Sequence, residues 1–143
     1  MWLVMNKALQ AIQTYAFGRI QQAGLGDSDF RVLEALLHKG PLPVNTIGPK
    51  VNLTPGSISV AVDRLYSKGL VTRVESAEDR RVRIVALTPS GKELIVPIFR
   101  QHAADIRRAF TGIPSNELGQ FERTLKRVGR HAEELAACEE QKG

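Results

Sequence analysis

Residues 54–88 read TPGSISVAVDRLYSKGLVTRVESAEDRRVRIVALT, and their order decides the fold. Ile58, Ala61, Val62 and Leu65 recur at the i, i+3, i+4, i+7 spacing of a buried helical stripe. The opposite face carries Gly56, Ser57, Val60, Arg64 and Ser67, small apart from one cation, so the backbone of this helix can approach another surface closely. A major groove about 12 Å wide is such a surface. Gly69 supplies the C-terminal stop, with Lys68 placed favourably against the helix dipole. Residues 70–74 and 82–87 then read as two β strands joined by the polar segment 75–81, which is too long for a two-residue turn.

A helix followed by a hairpin with a basic tip is the outline of a winged helix-turn-helix. The residues that carry it also resemble the MarR family of bacterial transcription regulators. The family's wing signature is an Asp, any residue, Arg, five residues, then Leu-Thr, and it stands here as Asp79, Arg81, Leu87 and Thr88. Its entry into the first wing strand stands as Leu65, Gly69, Leu70 and Val71. The resemblance implies that Arg81 enters the minor groove, that Asp79 orients it, and that Arg80 adds charge beside it; a narrow A·T-rich groove attracts such cations. On the helix, Thr54, Pro55, Gly56, Ser57, Ser59, Val60 and Arg64 are the candidate DNA-binding residues. Arg64 is expected at a phosphate, and Ser57 and Ser59 at base edges or phosphate. Family members often carry an arginine where Val60 stands. The guanine contact of that arginine is therefore missing, leaving Val60 and Pro55 for apolar contact with a thymine methyl.

The flanks read as supports. Met5, Leu9, Ile12, Ala16, Ile20 and Ala23 form a long helical stripe ended by Gly24 and Gly26. Asp27 or Ser28 can cap a second helix with Phe30, Leu33, Leu36 and Leu37 on its buried face. Pro41-Leu42-Pro43 reads as an extended connector, and 44–50 as a short third helix. Thr54-Pro55 and Thr88-Pro89 each pair a cap with a proline at the first helical position, where no N–H is needed. The helix after Thr88 contains Pro97, which predicts a bend between Glu93 and Pro97. After a break at 111–114, with Ser115 as the expected cap, Leu118, Phe121, Leu125, Val128, Ala132 and Leu135 alternate steps of three and four in a heptad-like seam.

The fold class expected is mainly α with a small β-hairpin wing. Residues 1–143 form a single MarR-like domain, 27–88 its DNA-binding lobe, and 1–23 with 89–137 a helical dimerisation region. A net charge of +5 fits a polyanionic partner, and the span 50–92 holds eight Lys plus Arg against four Asp plus Glu, a local net of +4. One cysteine, Cys138, excludes an internal disulfide and a zinc cluster and fits a reducing cytoplasm. The apolar opening 1–5 is too short to span a membrane. His102 with Asp105, and His131 with Glu134 and Cys138, are too sparse for a metal site, and no metal or other cofactor is expected. No catalytic motif is present, so an enzyme is not expected.

The partners expected are double-stranded DNA, a second copy of the chain, and, by resemblance, a small aromatic or acidic effector. Tyr15, Phe17, Arg19, Phe30 and His38 are its candidate pocket. The function implied is a ligand-responsive repressor binding a pseudo-palindromic operator as a homodimer. The alternative is a winged-helix module that binds protein, against which the basic wing argues.

Overall fold

The structure is a computed structural model and describes residues 1–140 of the chain. Its elements run α1 (Trp2–Gln22), α2 (Asp27–Lys39), β1 (Leu42–Pro43), α3 (Val44–Lys50), α4 (Pro55–Ser67), β2 (Val71–Glu75), β3 (Arg83–Leu87), α5 (Pro89–Ala109) and α6 (Ser115–Glu140). They form two compact units, Met1–Ala109 and the segment from Phe110 onward. Among the described residues no helix is long and apolar enough to cross a membrane.

In the first unit, α4 has the ends its sequence demands. Thr54 is extended at φ −67° and ψ 157°, and its Oγ1 accepts the Ser57 N–H at 3.2 Å. At the other end Gly69 adopts φ 69°. Its N–H donates to Tyr66 O at 2.9 Å and the Leu70 N–H to Leu65 O at 3.0 Å, the paired bonds of a Schellman stop that require a left-handed residue. All four stripe residues of α4 are buried. They meet Phe30, Val32, Leu33 and Leu36 of α2, together with Ile47, Val71, Val85, Ile95, Ile20 and Leu25, in one core.

The wing is part of a three-stranded antiparallel sheet in the order β1-β3-β2. Val71 pairs with Leu87 and Glu75 with Arg83 across the hairpin, while Leu42 and Pro43 pair with Val85 and Ile84. Leu42–Pro43 of the connector is thus an edge strand, a position that tolerates proline because one side of the strand needs no donors. At the base of the wing, Thr88 Oγ1 accepts the Gly91 N–H at 3.0 Å and donates to Gly69 O at 2.7 Å, while the Thr88 N–H reaches Leu70 O at 3.1 Å. α5 therefore begins hard against the turn that ends α4. It then runs unbroken through Pro97.

Two caps differ from expectation. Gly26, not Asp27 or Ser28, caps α2, leaving Asp27 and Asp29 inside the first turn where the helix dipole favours them. In the second unit the Leu118 N–H donates to Pro114 O at 3.0 Å, so Ser115 is already helical. α6 has no buried residue, and Phe121, Leu125, Val128 and Leu135 of its apolar seam are 40% to 54% exposed. Half of the α1 stripe is likewise bare: Ala16 and Ile20 are buried, whereas Met5 and Leu9 are exposed.

Candidate nucleic-acid interface

The first turn of α4 presents Thr54, Pro55, Gly56, Ser57, Ser59 and Val60 to solvent, Val60 with 58% of its surface free. The hydroxyls are already oriented by local bonds. Thr54 Oγ1 donates to Ser57 Oγ at 2.9 Å, which leaves the Ser57 proton for an external acceptor. Ser59 Oγ donates to Pro55 O at 3.0 Å, which leaves Ser59 as an acceptor. Two nearby serines thus offer opposite hydrogen-bonding character to a groove.

Arg64, expected at a phosphate, is held by a carboxylate of α2. Its Nε lies 3.0 Å from both Asp29 carboxylate oxygens, and its Nη2 donates to Asp29 Oδ1 at 2.6 Å and to Ser28 Oγ at 3.2 Å. Asp29 is 2% exposed. The hydrogen bond to Asp29 is the main cause that raises the Arg64 guanidinium above its ordinary value, with desolvation opposing it. Spacing within α4 cannot reveal a partner 35 residues upstream. Next to it, Arg73 of β2 pairs with Asp63 and lies 4.1 Å over the Tyr66 ring, tying the hairpin to α4.

At the wing tip Asp79 acts on the backbone. Its Oδ1 accepts the Arg81 N–H at 2.9 Å, its carbonyl accepts the Val82 N–H at 2.9 Å, and Val82 O accepts the Ser76 N–H at 2.8 Å. Asp79 therefore shapes the turn that projects Arg80 and Arg81, both exposed, with Arg83 exposed below them on β3. Arg81, Val82 and Arg83 form one wall of a groove of about 460 Å³ whose other side includes Asn45, Pro55 and Ser59. Arg81, Arg83 and the start of α4 thus face a common space.

The five residues expected to form an effector pocket do not share one cavity. Phe17 and Phe30 pack edge to face at 6.0 Å, and His102 joins them at 5.2 and 4.9 Å, its Nδ1 lying 3.4 Å from Ala16 O. His38 turns instead to Phe99 at 4.6 Å, and Tyr15 is 43% exposed. Arg19 lies 3.5 Å from the fully buried Asp105, whose other oxygen accepts from Gln101 at 3.2 Å. Arg19, Gln101 and His102 border a cavity of about 250 Å³ between α1 and α5, floored by Ala16, Ile20 and Ile98. His102 and Asp105, paired by sequence spacing, are divided between an aromatic cluster and an ion pair. Among the described residues no three His, Cys, Asp or Glu side chains gather as a metal site.

Comparison with known proteins adds to this geometry. The MarR family model matches residues 25–82. The chain is 37% identical over 135 residues to the transcriptional regulator MhqR of Bacillus subtilis, covering 94% of this chain and 93% of the relative. A MarR family transcriptional regulator from Silicibacter pomeroyi superposes with a TM-score of 0.76 at 28% identity, covering 87% of this chain and 84% of that one. BpsR of Bordetella bronchiseptica, whose DNA binding is regulated by 6-hydroxynicotinic acid, shares the fold with a TM-score of 0.81 at 20% identity over 90% of this chain and 92% of its own. With its capped recognition helix, its wing and these relatives, the chain belongs to the MarR family of DNA-binding transcription regulators, which are not enzymes.

Proposed function

We propose that the protein binds a pseudo-palindromic operator as a homodimer and represses transcription until a small aromatic or acidic effector binds. The observation that carries this reading is the groove in which Arg81, Arg83 and the start of α4, with Pro55 and Ser59, face one space. In that reading Ser57, Ser59 and Val60 meet base edges in the major groove, while Arg81, with Arg80 beside it, follows the adjacent minor groove. Thr54, Pro55 and Gly56 bring the start of α4 close to the backbone. The exposed seam of α6 and the bare half of α1 support a second copy, which doubles the contacts and matches half-sites about 10 bp apart. Repression is implied by the family resemblance.

The effector part rests on the cavity between α1 and α5. An apolar floor with Arg19, Gln101 and His102 at its border suits an aromatic acid, the class to which the BpsR effector belongs. Phe17 and Phe30 act through His102, and control requires a coupling of only about 1 to 3 kcal/mol between ligand and DNA.

The test is selection of duplexes from a random pool by the purified protein, repeated with Arg81→Ala and with Leu125→Asp/Val128→Asp. The expected outcome is a two-fold symmetric motif for the wild type. Arg81→Ala should lose its A·T preference at the wing positions, and the double variant should sediment as a monomer with weakened binding. A wild-type monomer that binds tightly, or an unchanged motif for Arg81→Ala, would contradict the reading. For the effector, aromatic acids that raise thermal stability should also lower operator affinity.

A further inference from the structure

Three features set Arg64 apart from a groove-facing cation. The first is burial of its partner. Asp29 is a carboxylate with 2% exposure, and withdrawal of Arg64 toward a phosphate would leave that charge unpaired in a dry site. The second is geometry. Nε and Nη2 are committed to Asp29 and Ser28, in a bidentate arrangement that fixes the plane of the guanidinium. The third is placement. Asp29 lies in the first turn of α2, and Arg64 lies in the last turn of α4, so each charge also sits at the helix end whose dipole favours it.

We propose that Arg64 is a positioning residue: held by the buried Asp29 carboxylate, it fixes the end of the recognition helix to the start of α2 and does not neutralise a phosphate. Asp29 then governs operator affinity without touching DNA. The inference rests on the reading of α4 as the DNA-binding helix. It also predicts a behaviour that distinguishes a strut from a contact. Removing a phosphate contact shallows the dependence of log affinity on log salt by about one, whereas removing a strut shifts the line without changing its slope.

The experiment titrates a duplex selected by the wild-type protein across a salt series with the wild type, Asp29→Asn, Arg64→Lys and Asp29→Leu/Arg64→Met. Thermal unfolding is recorded for each. Asp29→Asn is expected to lower affinity about tenfold with an unchanged slope, and Arg64→Lys, which keeps the charge but not the fork, to behave alike. The double variant replaces the pair by apolar side chains that can pack, and is expected to recover most of the lost affinity, again at the wild-type slope. The proposal is overturned if Asp29→Asn and Arg64→Lys bind as the wild type does, or if the double variant stays weak with a slope lower by about one. Should the double variant fail to fold, the two single variants decide. A wild type that binds no duplex overturns the DNA reading together with this one, whereas a wild type that binds normally confines any failure to the strut.

Discussion

Gly91→Ala tests how the winged lobe is joined to the helix that follows it. A Cβ at position 91 would lie 2.0 Å from Leu70 O and 2.9 Å from Leu70 C, backbone atoms that cannot swing aside. Restoring an ordinary contact forces the start of α5 away from the α4–β2 turn by about 1 Å, in a region packed with no spare volume. That movement stretches the Thr88 N–H bond to Leu70 O, now 3.1 Å, and the Thr88 Oγ1 bond to Gly69 O, now 2.7 Å. Losing two such bonds costs about 1 kcal/mol each. Overpacking adds about 1 to 3 kcal/mol, and the helical preference of alanine over glycine offsets about 0.5 to 1 kcal/mol. The net expectation is a destabilisation of about 2 to 4.5 kcal/mol, a fall in Tm of about 5 to 15 °C for a chain of this size.

The assay is thermal unfolding followed by circular dichroism at one protomer concentration, because association shifts apparent stability. Gly18→Ala is the matched control. Position 18 lies within α1, where an added Cβ would meet nothing inside 4 Å, so the helix preference acts alone and a gain of about 0.5 to 1 kcal/mol is expected. A Gly91→Ala protein as stable as the wild type would show that α5 is not seated on the turn, and the account of the Thr88 junction would be wrong.

Thr54→Ala should cost about 0.5 to 2 kcal/mol in urea unfolding, with most of the loss restored by Thr54→Ser, because the cap is a single hydroxyl accepting the Ser57 N–H. At the wing, Asp79→Asn keeps an oxygen acceptor for the Arg81 N–H and should protect that amide from hydrogen exchange nearly as the wild type does, whereas Asp79→Ala should expose it. Equal exchange in the two variants would place the role of Asp79 elsewhere. In α6 the hydrogen bond from Lys126, and then its charge, hold the Glu122 carboxyl below its ordinary value. The pair's small contribution is therefore present above the ordinary carboxylate pKa and lost as pH falls through the depressed one. An NMR titration of Lys126→Ala should move Glu122 upward.

Local chemistry made the helices legible. The stripe of α4 is buried residue for residue, and the Thr54, Gly69 and Thr88 signals each mark the end of an element because capping depends on neighbours a few positions away. What escaped depends on distant partners. β1 is two residues, Leu42 and Pro43, preceded by Pro41, and only its ladder with β3 makes it a strand. The hold of Asp29 on Arg64 spans two helices, so helical spacing placed Arg64 outward and could say nothing of what stands beside it. The proposed effector residues failed to converge for a related reason. Aromatic residues on separate helices share a chemical type, but their rings sort by packing, Phe17 and Phe30 to His102 and His38 to Phe99.

The distribution of free charge bears on how affinity and sequence choice are divided. α4 carries one basic residue, Arg64, and one acidic residue, Asp63, and both are engaged: Arg64 by Asp29, Asp63 by Arg73. The face that enters a major groove on this reading is therefore electrically quiet, and it acts through the Ser57 proton, the Ser59 lone pairs and the apolar surfaces of Val60 and Pro55. Each discriminates between bases with little effect on phosphate attraction. Arg80 and Arg81 project from a turn in which the Asp79 carboxylate accepts the Arg81 N–H. They remain available to displace counterions, with Arg83 exposed beneath them. It follows that substitutions in the first turn of α4 should change which operator is chosen while the salt dependence holds, and loss of Arg80 or Arg81 should shallow the salt dependence by about one each.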